Sequence, residues 1–478
     1  MKKNIFVLFA FLSVFVFSEN KTTKQKIHHI QSQNLAQQNI SRAIALFDNA
    51  VKCYFVGEDM ALSRFYNPFT KVRSDEKGSV WMYTSSIEAV NAILHALKLQ
   101  KENGNEQLYN QHYNRYVQLL HKLYQNLAYY AGTYTLTSYT QTKEWTVYGV
   151  DRSSSQGKAR VEGIYNVYDD QQWLVRELLE AYKLTGNNEY LVQAEYLTEY
   201  ILDGWDCTLD ANGNEYGGIT WGPGYVSKHA CSNGPMVSPL VWLYELYKDK
   251  NDQLTYRYIG SDKKREMKTV KKSEYYIRFA KAIYHWQKDH LMRSDEVFDD
   301  FMGGCEPNCK VSYEFLNDKI YRKHTELRSK IGPAYSYNSG SMLSGAADLY
   351  HVTNNPLYLD DVKKMTRASF EYFAKKDKNV KGYYTYNVSG FSNWFNGVLM
   401  RSYFDAYPFF NDAVEALGSF QMNLDYGYKN FLTEGFLPDN LLVGWKSNGD
   451  SNNIEAMFTF SFIAEYAILA RYEMLNTK

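Results

Sequence analysis

The sequence predicts an all-α protein, one (α/α)6 barrel built from six helix hairpins, and three observations predict it. Apolar residues recur at helical spacing from end to end, with almost none of the sustained alternation that marks strands. Long and short connections alternate along the chain. One hairpin also repeats: AYKLTGNNEYLVQAEYLTEY and DLYHVTNNPLYLDDVKKMTRASFEYF share a helix end, a T-x-N-N-type turn and a Tyr-Leu opening the next helix, with Tyr190 and Tyr358 in matching positions.

The periodic segments place twelve helices at about 34–56, 85–99, 109–131, 169–185, 189–203, 232–250, 273–290, 339–351, 357–374, 391–407, 411–430 and 454–473. Loops from odd to even helices are long, at 57–84, 132–168, 204–231, 291–338, 375–390 and 431–453; those from even to odd are short, except for a charged insertion at 251–272. Antiparallel neighbours alternate direction, so the long loops gather at one end, where function is expected. The even helices open with SSIEAVNAI, DDQQWLV, SNGPMVSPL, NSGSMLSGA, FSNWFNGVL and NNIEAMF, small and polar residues suited to a crowded inner ring around a cleft. Odd helices such as KKSEYYIRFAKAIYHW carry charge on one face, as an outer layer would. No Pro/Gly/Ser linker divides the chain, so residues 19–478 are expected to form a single domain.

Residues 1–18 begin with two lysines and continue into an apolar run from Ile5 to Phe17, the pattern of an export signal. The run is shorter than the about 20 residues of a membrane span. The expectation is an exported protein, periplasmic, at the cell surface or secreted, with no membrane span and no lipid anchor. Removing Lys2 and Lys3 turns 53 basic and 53 acidic residues into 51 and 53, a net charge of −2. That balance argues against a nucleic-acid partner and fits a neutral ligand. Of five cysteines, Cys305 and Cys309 in GGCEPNCKV are the expected disulfide; no companion Cys or His pair stands near them to suggest a metal. Tyrosine is abundant, 43 residues, and its amphipathic ring suits a core as well as a sugar-binding surface.

Asp-Asp occurs three times. Asp360-Asp361, before two lysines on an outer helix, complements the helix dipole. Asp299-Asp300, in EVFDDFMGG, falls in a long loop at the functional end and is a candidate for ligand contact. Asp169-Asp170, in YDDQQW, opens an inner helix where one Asp would suffice as a cap. The helix N-terminus favours an ionised carboxylate, while two like charges close together keep one protonated. An anionic nucleophile beside a neutral acid is what a retaining glycosidase needs. On these residues alone, a doubled cap and a catalytic pair stand level. A metal-binding reading like that of helical terpene cyclases fails because Trp173 stands where that motif needs Asp.

YDDQQWLVRELLEAYKLTGNNEYL, ILDGWDCTLDANGNEYGGITWGPG, KHACSNGPMVSPLVWLYELY, YSYNSGSMLSGAADLYHVTNNPLYL and FSNWFNGVLMRSYF resemble, in order and spacing, segments of the glycoside hydrolase family 76 endo-α-1,6-mannanases. The likeness runs from about Val80 to the last helix. It implies an (α/α)6 barrel that hydrolyses α-1,6-linked mannose backbones with retention, with mannan or manno-oligosaccharide as substrate and no cofactor or metal. Carried over, Asp169 would be the nucleophile and Asp170 the acid/base. Tyr168 and Trp173 flank the pair, Asp206 and Trp221 lie in the next functional-end loop, and Asn338 and Trp394 would line neighbouring subsites, with Asp299 and Asp300 as further contacts. The long loops at 132–168 and 291–338 depart from the shorter family pattern.

Two other readings compete. A helical glycan-binding protein that feeds a sugar importer would hold mannan and release no ends. A barrel acting on unsaturated glucuronides would need basic residues near the cleft, and Arg152, Lys158 and Arg160 precede the Asp pair. A monomer is expected.

Overall fold

A computed structural model describes residues 31–305 and 309–476 of the chain. The expected export signal at 1–18 lies outside the described residues. Twelve α-helices are present among those described: α1 (31–54), α2 (Val80–Glu102), α3 (Gln107–Asn126), α4 (Tyr168–Thr185), α5 (Asn188–Asp203), α6 (Val237–Tyr247), α7 (Lys272–Leu291), α8 (Ser336–Thr353), α9 (Pro356–Phe373), α10 (Ser392–Ala406), α11 (Ala413–Phe431) and α12 (Ala456–Leu475). Each expected helix has its counterpart.

The even helices touch in a closed circuit, α2 to α4, α6, α8, α10, α12 and back to α2. Each of the first five also packs against the odd helix that follows it, and α1 closes the outer layer by setting Phe47 on Phe460 of α12. The mostly α fold is thus two concentric rings. Burial follows this: α12 is buried on almost every side, whereas outer α9 buries the stripe Tyr358, Asp361, Val362, Met365, Thr366 and Ser369.

The repeated hairpin turn is built in the same way in both copies. Gly186 and Asn354 end their helices in the left-handed region, φ 70° and 52°. Asn187 and Asn355 then cap α5 and α9 by accepting from the N–H groups of Glu189 (3.0 Å) and Leu357 (3.1 Å). The buried rings of Tyr190 and Tyr358 lock each hairpin to the preceding outer helix, against Tyr124 at 4.7 Å and Tyr284 at 5.4 Å.

The strand expectation needs correction in the connections. Ala131–Thr137 pairs with Thr142–Tyr148, and Gln253–Ile259 with Arg265–Lys271, as two seven-residue hairpins. The second is the charged insertion: one face is solvated, so its alternation is carried by Leu254, Tyr256 and Tyr258 between polar residues. A small three-stranded sheet, Ser329–Ile331, Phe301–Gly303 and Lys228–His229, ties together the loops at 204–231 and 291–338. Cys305 and Cys309 form a disulfide, while Cys53, Cys207 and Cys231 are free.

Candidate active site

Asp169 and Asp170 occupy the first turn of inner helix α4 at the long-loop end. Neither caps the helix: the N-cap is Val167, which offers no side-chain bond, and the first free N–H, that of Tyr168, donates to the Trp221 carbonyl at 2.8 Å. The two glutamines that follow are anchors. Gln171 makes bonds to both the N–H and the C=O of Tyr148, at 3.2 and 2.8 Å, and Gln172 donates to the Ser232 carbonyl at 2.5 Å. The sequence DDQQ therefore sets two carboxyls on a turn pinned to the loops on either side.

Burial raises both carboxyls, but unequally. Asp169 is pushed up to about 6, with the Cys231 thiol, the Trp221 indole and the N–H groups of the helix start pulling it back down. Asp170 is buried, has no such donors and feels the charge of Asp169, so it is held well above the usual carboxylate range. As pH rises, Asp169 loses its proton first. Oδ1 of Asp169 and Nε1 of Trp221 are both buried without a hydrogen-bond partner, polar atoms held ready for a group that supplies one.

A third carboxyl joins them. Asp300 precedes the strand Phe301–Gly303; its N–H donates to Ile331 O (2.9 Å) and its C=O accepts from Ala230 N (2.8 Å). Its side chain, near Asp169, is pushed up to about 6 by burial, offset by Asn338 and Tyr337. Asn338 is fully buried, its amide close enough to act on Asp300 but making no fully formed hydrogen bond. Asp299 points elsewhere, toward Arg293 at 4.0 Å, because successive residues of an extended segment face opposite sides. Of that Asp-Asp pair, only the second reaches the site.

Trp221 is held by a stack: its ring lies on His229 at 4.8 Å, and His229 lies on Phe301 at 4.5 Å. Burial lowers the His229 imidazole to about 4, so it is neutral and serves as a spacer. Trp173 and Trp394 come together edge to face at 4.9 Å, deeper in the ring, where Trp394 Nε1 donates to Glu88 at 3.2 Å and Glu88 pairs with Arg401. Trp394 also meets Trp81 at 5.1 Å, beside Phe391 and Phe395, and Tyr337 packs on Phe395 at 4.4 Å. An aromatic wall thus runs from α2 across α10 to α8.

Two expected ligand contacts are structural instead. Tyr168 turns away from the pair; its buried ring packs on Tyr200 at 5.1 Å and so close to Gly204 that a Cβ there would stand 2.6 Å from it. Asp206 is fully buried, bonded to Lys228 Nζ at 2.8 Å and His324 Nδ1 at 2.7 Å, and those partners hold its carboxyl well below the usual range. It pins the loop at 204–231 to the loop at 291–338 rather than facing the cleft. Cys231 and Tyr337 were missed as neighbours of these carboxyls because nothing in their sequence context distinguishes them from core residues. The basic residues before the pair are engaged elsewhere: Arg152 pairs with Asp59 at 2.6 Å, and Arg160 lies over Tyr165 at 3.6 Å.

Residues 266–419 match the family model described as Glycosyl hydrolase family 76. That stretch holds Asp299, Asp300, Asn338 and Trp394 and lies C-terminal to Asp169-Asp170. Among solved structures, the chain is similar to the glycoside hydrolase family 76 (mannosidase) Bt3792 from Bacteroides thetaiotaomicron VPI-5482, at 18% identity and TM-score 0.64, covering 92% of this chain and 99% of that one. It is similar also to the GH76A alpha-1,6-mannanase from Salegentibacter sp. HEL1_6, at 19% identity and TM-score 0.59, covering 91% and 99%. An inactive variant of that mannanase, with two adjacent aspartates changed to asparagine, was solved with alpha-1,6-mannotriose. A D-mannose isomerase shares the architecture at 10% identity and TM-score 0.53, so the fold alone does not fix the reaction. No curated protein sequence matches the chain. Over residues 266–419 the chain is thus similar to glycosyl hydrolase family 76, and the solved neighbours, at 18% and 19% identity, share its helical barrel fold.

Proposed function

We propose that this protein is a retaining, endo-acting hydrolase of α-1,6-mannosidic linkages in mannan backbones. The observation that carries the reading is the Asp169-Asp170 pair: adjacent carboxyls, neither used as a cap, whose surroundings separate their protonation. Asp169, ionised first, attacks the anomeric carbon and forms a glycosyl ester. Asp170, still protonated, gives its proton to the departing glycosidic oxygen, then takes one from the water that opens the ester. Trp221 and Asp300 flank the reacting sugar, and the amide of Asn338 binds a hydroxyl. The inactive asparagine variant of the Salegentibacter enzyme, bound to alpha-1,6-mannotriose, supports both the pair and the linkage. Export through the segment at 1–18, to where mannan is met, and action as a monomer belong to the same proposal.

The test is release of reducing ends from debranched α-1,6-mannan, with product sizes and NMR of the first-formed anomer. We expect oligosaccharides of α configuration from the wild type, and loss of roughly a thousandfold or more in Asp169→Asn and Asp170→Asn. A β first product would overturn retention; binding without any new ends would favour a glycan carrier.

A further inference from the structure

A cavity of about 530 Å³ lies outside the barrel, between α5 and α7 under the Gln253–Ile259/Arg265–Lys271 hairpin. It is on the far side of α5 from the Asp pair: Tyr168 packs on the inward Tyr200, while the cavity is lined from the same helix by Glu195, Glu199 and Asp203. The hairpin starts at the short-loop end and runs along the wall to the cleft end. There Arg257 Nε donates to Gln141 at 3.0 Å and Arg265 donates to Glu314 at 2.7 Å. It is a strap fastened at both ends over a gap between outer helices.

The chemistry of the gap is that of a sugar site. Tyr256 of the strap meets Tyr275 at 5.0 Å and stands edge-on to Phe279 at 6.3 Å, giving aromatic surface for the C–H face of a sugar ring. Three of the surrounding ion pairs are closed, Glu195 with Lys272 at 2.6 Å, Glu199 with Lys143 at 2.6 Å, and Glu215 with Arg278 at 2.7 Å, while Arg257 is engaged with the neutral Gln141. Asp203, on the wall, accepts from Ser138 and Gln141 through Oδ1, which holds those two residues at the rim of the gap. The volume lies within the roughly 300–1,000 Å³ of small-molecule sites.

We propose that this cavity is a second glycan-binding site, taking a segment of a neutral polysaccharide, and that the strap exists to form it. The site would hold the polymer against the outer wall while another segment occupies the cleft. It rests on the reaction proposed above only in the choice of the first probe.

The experiment is affinity electrophoresis of the full protein in gels containing debranched α-1,6-mannan, neutral glucan, galactan and xylan, or alginate, with Asp170→Asn present so that nothing is cleaved. Tyr256→Ala removes the strap ring, and Leu254→Trp, on the same face of the strap and on the same lining, fills the cavity; thermal melting checks both for folding. Retardation in at least one neutral polymer should weaken about fivefold in both. With Asp170 intact, cleavage of α-1,6-mannotetraose should be unchanged by either. Unaltered retardation in every neutral gel, or stronger retention in alginate than in any of them, would overturn the inference. Absence of mannan hydrolysis would count against the proposed reaction and leave this binding result standing.

Discussion

Trp221→Phe isolates what sets the protonation of Asp169. The substitution keeps the ring that stacks on His229 and removes only the indole N–H facing the carboxyl. A hydrogen bond to a charged group is worth about 1.5–3 kcal/mol when well formed. Trp221 Nε1 has no formed bond here, so roughly 1 kcal/mol is the appropriate figure, or about 0.7 pH unit at 1.36 kcal/mol per unit. The donor favours the anion, so its loss raises the Asp169 carboxyl above its value of about 6 and moves the acid limb of kcat/KM upward. At pH 5 the variant should be slower by about fivefold; above pH 8, where Asp169 is ionised in both proteins, the rates should agree within about twofold. The assay is initial reducing-end release from debranched α-1,6-mannan across pH 4.5–9 at low substrate. An equal loss at every pH with an unmoved limb would refute the tuning role and leave Trp221 as a sugar platform only.

Two stability predictions follow from buried charges. Asp206→Asn leaves the buried Lys228 ammonium without its carboxylate and should destabilise the fold by about 3–5 kcal/mol, read by denaturant unfolding. Because the Asp206 carboxyl is held below its ordinary value, that stability is present at neutral pH, and the gap from wild type should close as pH falls below the carboxylate range. Glu465, buried on α12 and raised to about 8, has the opposite sign: its ionisation costs stability increasingly from about pH 4.5 to 8. Glu465→Gln should therefore leave the melting temperature nearly unchanged at pH 4 and raise it by several degrees at pH 8. An equal shift at both would refute the assignment.

The rings of helices were legible because each depends on short-range patterns: apolar spacing, the Thr-x-Asn turn, and the small residues that open inner helices. The two seven-residue hairpins were not. A strap with one solvated face, such as QLTYRYI, is dominated by charge in its neighbours, and its apolar side is defined only by the α5–α7 gap it covers. The same limit governs the site. Sequence put Asp169, Asp170 and Trp221 at the same end of the barrel but could not divide Asp299 from Asp300, since which one faces inward depends on the register of the strand at Phe301. Nor could it show that Asp206 would meet Lys228 and His324, the latter 118 positions away.

The doubled aspartate of YDDQQW is where physical chemistry argues most directly for function. A cap would stand at the N-cap and satisfy helix N–H groups; that position is Val167, and the Tyr168 N–H is taken by a carbonyl. Neither carboxyl stands at the cap position, and together they cost stability. Moving Asp169 from 3.8 to about 6 alone amounts to roughly 3 kcal/mol at neutral pH, and Asp170 adds to it. Polar residues with no charge would fill the same turn at no such cost. A strained electrostatic arrangement of this kind, with an orphaned carboxylate oxygen and an orphaned indole beside it, is the kind that catalytic sites carry. In the reaction proposed above it corresponds to the division of labour that double displacement requires: a carboxyl that ionises near neutrality, next to one that does not.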